Sequence, residues 1–388
     1  MRSNDDSSGK QKANERAKSS AALSTVLILG TCVGFVVAEK LYLKHEEAKT
    51  TPAQLASLRS RKLELGAAQQ HDSLASLATT ASSSTTEPSL FIKGRQPRSN
   101  LEKILQRIAP DGEIMIAISN MNLIRSESLV LWLQGARRIQ STNWLVVAID
   151  EELRDYCVEN KINHYYRPVK IPDTQANTGD NHAISAMKYE IIEEFLTLGY
   201  DVLLSDVDIV IVEDPLLNLY RDHDVEGMSD GFDDSTAYGE IYGIDDESMG
   251  WSRYAQGVRH MVMNSGLFYL KANSRTIDLM QRIAARLHKE KAWDQSVYNE
   301  EVFFLSHGER KSPQVTVRVM DRLKFMNSKT LFKIVRHMPR AQQPNPVMVH
   351  MNYHPDKVER MKGAIEYYWN GNMKALDPFP GGSEPGSR

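Results

Sequence analysis

Cysteine is scarce in this chain. Of 388 residues only Cys32 and Cys157, far apart, are cysteines, which excludes a disulfide framework and any Cys/His zinc spacing. An excess of positive charge is missing too: 47 Lys and Arg stand against 50 Asp and Glu, a net charge of −3, which argues against a nucleic-acid binder. There is no phosphate-binding G-x-x-x-x-G-K-[S/T] loop, no hydrolase-like order of Ser, His and Asp, and no internal repeat. No N-x-S/T sequon falls within residues 100–388, an absence that neither supports nor excludes a lumenal site. What remains is globular in composition, 41% hydrophobic and 25% charged, and long enough for one large domain or two ordinary ones.

One uncharged apolar run stands out, Ser20 to Ala38 (SAALSTVLILGTCVGFVVA). Its length suits a single, slightly short membrane crossing. Small residues near Gly34 and Ala38 keep a cleaved signal peptide as the rival reading, although the run is longer than a typical signal h-region. Arg2, Lys10, Lys12, Arg16 and Lys18 precede it and fewer basic residues follow closely, which favours an N-terminus left in the cytoplasm. The expectation is therefore a cytoplasmic tail (1–19), an uncleaved transmembrane signal-anchor (20–38), a stem (39–99) containing the low-complexity TTASSSTTEP, and a folded domain (100–388) across the membrane.

That domain alternates. Leu101, Ile104, Leu105 and Ile108 have helical spacing and stop at Pro110-Asp111-Gly112; EIMIAISN (113–120) follows as a buried strand. Residues 126–140 read as one amphipathic helix capped by Ser126, 144–150 as a strand, 151–160 as a helix, 164–169 as a short strand, and 181–198 as a helix closed by Gly199. Strand, helix, strand in this order predicts an α/β fold with a mainly parallel central sheet, whose ligands bind beyond the carboxyl ends of the strands. Ser119-Asn120, Asp150, Asp206 and Asp208 all fall at such ends.

The centre of the chain is YDVLLSDVDIVIVEDP (200–215). Two short apolar runs flank Asp206-Val207-Asp208. In extended backbone the two carboxylates project to one side and repel unless a cation lies between them, and hard oxygen ligands suit Mg²⁺ or Mn²⁺. A bare D-x-D is more often a solvated turn, so its partners decide. Beyond Pro215, residues 222–250 are too polar and glycine-rich for core and read as a functional loop. Residues 261–272 resemble a strand interrupted by Asn264-Ser265-Gly266; 274–289 form a helix, Asp294-Gln295 open another, 315–321 and 347–350 are late strands, and a helix covers 360–370.

This order resembles the GT-A fold of nucleotide-sugar-dependent glycosyltransferases: D-x-D after a nucleotide-binding half, an N-S-G strand, a D-Q pair opening a helix and a late His after a strand. A phosphatase of the haloacid dehalogenase type would carry its D-x-D on the first strand instead. VHMNYHPDKVERMKGAIEYYWNG…ALDPFP is similar to the C-terminal signature of the plant "reduced residual arabinose"-type arabinosyltransferases of glycosyltransferase family 77. The resemblance implies that Asp206 and Asp208 bind a divalent ion, Mn²⁺ or Mg²⁺, with His350, and that Lys357 faces the diphosphate of a UDP-sugar. It puts Asp294, with Gln295, beneath the sugar, where a carboxylate stabilises oxocarbenium character. Asn264 would hold sugar or acceptor, Ser119 and Asn120 the nucleotide, and Asp230 sugar hydroxyls. Plainer roles compete at each position: helix capping for Asp294, a bulge for Asn264, solvation for Lys357, a structural imidazole for His350. The reaction implied is retaining transfer of L-arabinofuranose from UDP-β-L-arabinofuranose to hydroxyproline-linked arabinose of wall glycoproteins, through a double displacement on Asp294 or front-face attack. Xylosyl or galactosyl transfer to a wall polysaccharide, or a non-catalytic Golgi scaffold, are the alternatives. The setting implied is a Golgi type II membrane protein with its domain lumenal, sharing a complex with other Golgi enzymes. One departure stands out: the glycine of H-x-x-G in many related transferases is Tyr353 here.

Overall fold

The computed structural model describes residues 90–175, 180–233, 236–237, 263–303 and 313–382. The expected tail, apolar anchor and nearly all of the stem lie outside these residues, as does most of the polar stretch after Asp233. Among the described residues no helix is long and apolar enough to cross a membrane.

Helix α1 (Asn100–Ile108) buries Leu101, Leu105 and Ile108 along one face, and the Ser99 hydroxyl caps it by accepting from the Glu102 amide at 3.1 Å. It leads into β1 (Glu113–Ser119), α2 (Met121–Arg125), α3 (Ser128–Ala136), β2 (Trp144–Ala148), α4 (Glu151–Glu159), β3 (His164–Tyr166), α5 (Asp180–Thr197) and β4 (Asp201–Ser205). Asp150 caps α4 through its Oδ1, 2.7 Å from the Leu153 amide, and accepts from the Met121 amide at 2.9 Å through the other oxygen. At the far end of α5, Gly199 takes the left-handed φ of +89° that ends the helix.

These four strands lie side by side in the order β3-β2-β1-β4, all parallel, with Ile116 opposite both Leu145 and Leu204. Both faces are covered. Ile114, Ile116, Leu145, Val147, Val202 and Leu204 enter one hydrophobic cluster, while the alternate residues Met115, Ala117, Val146, Ala148 and Leu203 enter the other. Two buried faces explain why β1, β2 and β4 read as continuous apolar runs, while the edge strand β3 is only half-buried.

The chain then leaves the large sheet. β5 (Ile209–Ile211) belongs to a three-stranded sheet, whereas β6 (Val225–Ser229) and β7 (Met263–Leu270) extend the large one beyond β4. After α6 (Ser274–Leu287) and α7 (Asp294–Phe303), β8 (Val317–Val319) completes it in the order β3-β2-β1-β4-β7-β6-β8. β7 runs antiparallel to both neighbours, so the sheet is mixed rather than uniformly parallel. β9 (Phe325–Asn327) and β10 (Met348–His350) finish the small sheet, β10 antiparallel to β5 and parallel to β9. α8 (Lys357–Tyr368) packs Met361 and Ala364 into a third cluster with Val210 and Val349.

Four expectations need correction. The single amphipathic helix over 126–140 is two helices: Ser126 ends α2, and Glu127 breaks the path with a left-handed φ of 68°. α3 is not amphipathic either, because Leu129, Leu131, Trp132, Leu133 and Ala136 bury it on several sides. Part of the supposed polar loop, 225–229, is a fully buried strand, whose Glu226 is satisfied by the Tyr220 amide at 3.0 Å and by the Arg221 amide. β7 is one continuous strand through Asn264-Ser265-Gly266, yet the bulge expected there is present in its pairing with β6: Gly227 faces Phe268 and Ser229 faces Met263, so the extra residues fall on β7 between these two pairs.

Candidate active site

β4 ends at Ser205, and the chain turns through Asp206-Val207-Asp208 before entering β5. The turn replaces the extended backbone expected there. The Trp132 indole of α3 donates to Ser205 Oγ at 2.9 Å and so fixes where the turn begins. Antiparallel pairing sets His350 of β10 opposite Ile209, and the Met351 amide donates to the Asp208 carbonyl at 2.9 Å. Register alone therefore delivers the imidazole to the acidic turn.

One oxygen each of Asp206 and Asp208 and one ring nitrogen of His350 lie within 4.8 Å of one another. His350 Nε2 is 3.0 Å from Asp208 Oδ1, and Lys357 Nζ, at the start of α8, is 2.7 Å from Oδ2. Gly266 closes the back of this cluster. A Cβ there would fall within contact distance of Asp206 Oδ2 and 2.8 Å from His350 Cε1, so any other residue would push these two side chains aside.

Burial pushes the Asp208 carboxyl up, but Lys357 and His350 together outweigh it and hold it well below the usual carboxylate range. Asp206 moves the other way: burial raises it, Lys188 opposes, and the Asp208 charge adds to the rise. Desolvation disfavours the charged His350 ring, yet the Asp208 carboxylate beside it prevails and its pKa is raised. Lys357 is raised chiefly by Asp208.

Two carboxylates and an imidazole form a donor set that suits Mn²⁺ and admits Mg²⁺. Among the described residues no side chain donates a hydrogen bond to the Asp206 carboxylate, and buried His350 Nδ1 has no partner. A cation would answer the Asp206–Asp208 repulsion. The residues fit such an ion.

A second cluster adjoins the first. Asp294 opens α7 with its side chain 4% exposed, and its Oδ2 lies 2.7 Å from Lys188 Nζ. Asp230, just past β6, is 1% exposed and receives three amide donors: Asn264 Nδ2 (2.8 Å) and Asn352 Nδ2 (2.8 Å) on Oδ1, and Gln295 Nε2 (2.7 Å) on Oδ2. Burial nevertheless raises its pKa. Gln295 Oε1 in turn accepts from the Ser265 amide at 3.1 Å, and Asn264 Oδ1 from the Gly266 amide at 2.8 Å. The two clusters thus share the strand that carries N-S-G.

The structure accordingly brings Asp206, Asp208, His350 and Lys357 into one group and Asn264, Asp230, Asp294 and Gln295 into the next. Ser119 and Asn120 stay at the carboxyl end of β1, hydrogen-bonded to neither group; Asn120 Oδ1 is buried without a partner among the described residues. Lys188 and Asn352 carry no signal in the sequence: one is a lysine inside a long helix, the other a polar residue in a polar loop.

Residues 140–362 match the family model described as nucleotide-diphospho-sugar transferase. The chain is 44% identical over 306 residues to Arabinosyltransferase RRA2 of Arabidopsis thaliana, a span of 79% of this chain and 71% of that one. It is 42% identical over 284 residues to Arabinosyltransferase RRA1 of the same plant, covering 73% and 70%. Among solved structures, the galactosyltransferase LgtC with donor and acceptor sugar analogues overlaps at a TM-score of 0.43 and 13% identity, over 64% of this chain and 94% of that one. The chain belongs to the nucleotide-diphospho-sugar transferase family and, with the RRA-type members of glycosyltransferase family 77, is a glycosyltransferase of GT-A-like fold.

Proposed function

We propose that this glycosyltransferase moves L-arabinofuranose from UDP-β-L-arabinofuranose to hydroxyproline-linked arabinose of wall glycoproteins, retaining the anomeric configuration and using Mn²⁺. The observation that carries the metal and nucleotide part is the meeting of Asp206, Asp208, His350 and Lys357 beyond β4. The arabinose part rests on the two relatives named arabinosyltransferases, RRA2 and RRA1. Asp206, Asp208 and His350 would hold the ion, which when bound supplies Lewis-acid stabilisation of a leaving diphosphate. Lys357 brings a further positive charge to the same edge, on a side chain 45% exposed and able to turn toward a phosphate. Asp294 would face the positive charge that develops on the sugar carbon. Asp230 orients Asn264, Gln295 and Asn352 through its two oxygens and remains the candidate for sugar hydroxyls, since Oδ2 accepts only one amide. Ser119 and Asn120 remain the candidates for the nucleotide.

Release of UDP from UDP-arabinofuranose, UDP-xylose and UDP-galactose, measured with a hydroxyproline arabinoside acceptor, tests the reading. Metal-dependent release from the first donor alone supports it. Preference for another donor would overturn the substrate while keeping the chemistry.

We further propose that residues 20–38 anchor the chain in the Golgi membrane with the domain lumenal, on the length of the run and the basic residues before it. Protease treatment of sealed Golgi vesicles should spare the domain, and its digestion without detergent would refute this.

A further inference from the structure

Lys188 lies in the middle of α5 between buried Met187 and Tyr189, and its side chain is only 5% exposed. A buried ammonium is costly unless paired and hydrogen-bonded. Its Nζ stands 2.7 Å from Asp294 Oδ2 and donates to the Ser265 carbonyl at 2.7 Å. The Tyr189 hydroxyl approaches the same Asp294 oxygen at 3.4 Å. Asp294 is the first residue of α7, one past the cap position, and among the described residues no backbone amide donates to its carboxylate. Its partners come from α5 instead. Lys188 is also the strongest positive charge acting on Asp206.

We propose that Lys188 is a positioning residue of the transfer reaction, holding the Asp294 carboxylate at a fixed place and angle beside the donor sugar. The inference rests on the role given above to Asp294. A well-packed apolar side chain would serve stability as well as this ion pair does, and often better, so stability alone gives no reason for it. The Ser265 carbonyl fixes the ammonium to the strand whose Gly266 backs the ion cluster. The distance between the acid and the ion site is thereby set through one lysine.

The test uses the full-length chain and four variants: Lys188→Met, Lys188→Arg, Asp294→Asn, and the double variant Lys188→Met/Asp294→Asn. Lys188→Met is expected to lower kcat by about 100-fold, the effect of misplacing a reacting group by roughly 1 Å. KM for the donor and the affinity for UDP with Mn²⁺ should change little. In the Asp294→Asn background the lysine change should lower kcat no further, because the two act as one unit. The double variant should regain the thermal midpoint that Lys188→Met loses, without regaining kcat, and Lys188→Arg should recover part of it. Full kcat in Lys188→Met, or an undiminished effect of that change in the Asp294→Asn background, would overturn the inference. Full activity of Asp294→Asn would instead overturn the role assigned to Asp294.

Discussion

Tyr353 stands where many related transferases carry the glycine of H-x-x-G, and its backbone adopts the left-handed φ of 68° that glycine would favour. For a tyrosine that conformation costs on the order of 1 kcal/mol. Its hydroxyl offsets this by donating to the Asp230 carbonyl at 2.9 Å, and Lys329 Nζ lies 4.5 Å from the ring centroid. Tyr353→Phe should therefore destabilise the fold by roughly 1–2 kcal/mol, read as a lower urea midpoint, because a buried carbonyl loses its donor. Gly266→Ala should act on the ion instead: its Cβ would displace the Asp206 carboxylate, and Mn²⁺ affinity should fall far more than stability does. The same residues set a pH dependence. In the ion-free protein His350 has a pKa above its ordinary 6.5, so its pairing stabilises the fold fully below the unfolded value and is lost as pH rises through the raised one. Asp208, held below its ordinary 3.8, contributes above that pH and is lost as pH falls through the lowered value. An ion needs the neutral imidazole, so binding releases a proton and Mn²⁺ should bind more tightly at about pH 8 than at about pH 6. Equal affinity at both would contradict the assignment of His350 as a ligand.

At the scale of elements, the caps and strand ends do most of the positioning. Asn273 closes a capping box on α6, accepting from the Arg275 and Thr276 amides at 3.0 and 3.1 Å, and donates to Asp224 at 2.8 Å. Asn273→Ala should cost about 1–2 kcal/mol of stability in a denaturant titration, with the ion site unaffected. The parallel strands β1, β2 and β4 were legible because both of their faces are apolar, α5 because Gly199 stops it, and α6 because its apolar residues keep helical spacing. β6 was hidden by Glu226 and Gly227, whose burial depends on the Arg221 turn and on Met263, contacts no local pattern announces. The break between α2 and α3 was hidden because Glu127 takes a left-handed φ with no glycine or proline to mark it. The D-x-D, D-Q and late His were readable as motifs. Lys188 was not, since its meaning lies in a partner 106 residues away that only packing reveals.

At the scale of the whole domain, the candidate site is assembled from two sheets. Asp206 and Asp208 leave the large sheet, His350 arrives on the small one, and Lys357 follows on α8. An ion bridging them would tie the two sheets together, so saturating Mn²⁺ should raise the thermal midpoint, and Asp208→Ala should abolish that rise. The most direct measurement is transfer itself: the full-length chain incubated with UDP-β-L-arabinofuranose and a hydroxyproline arabinoside, the product read by mass. The acceptor should become heavier by one pentose with Mn²⁺ present, and should not change with a chelator or in Asp208→Ala. Equal product with the chelator, or from Asp208→Ala, would contradict it.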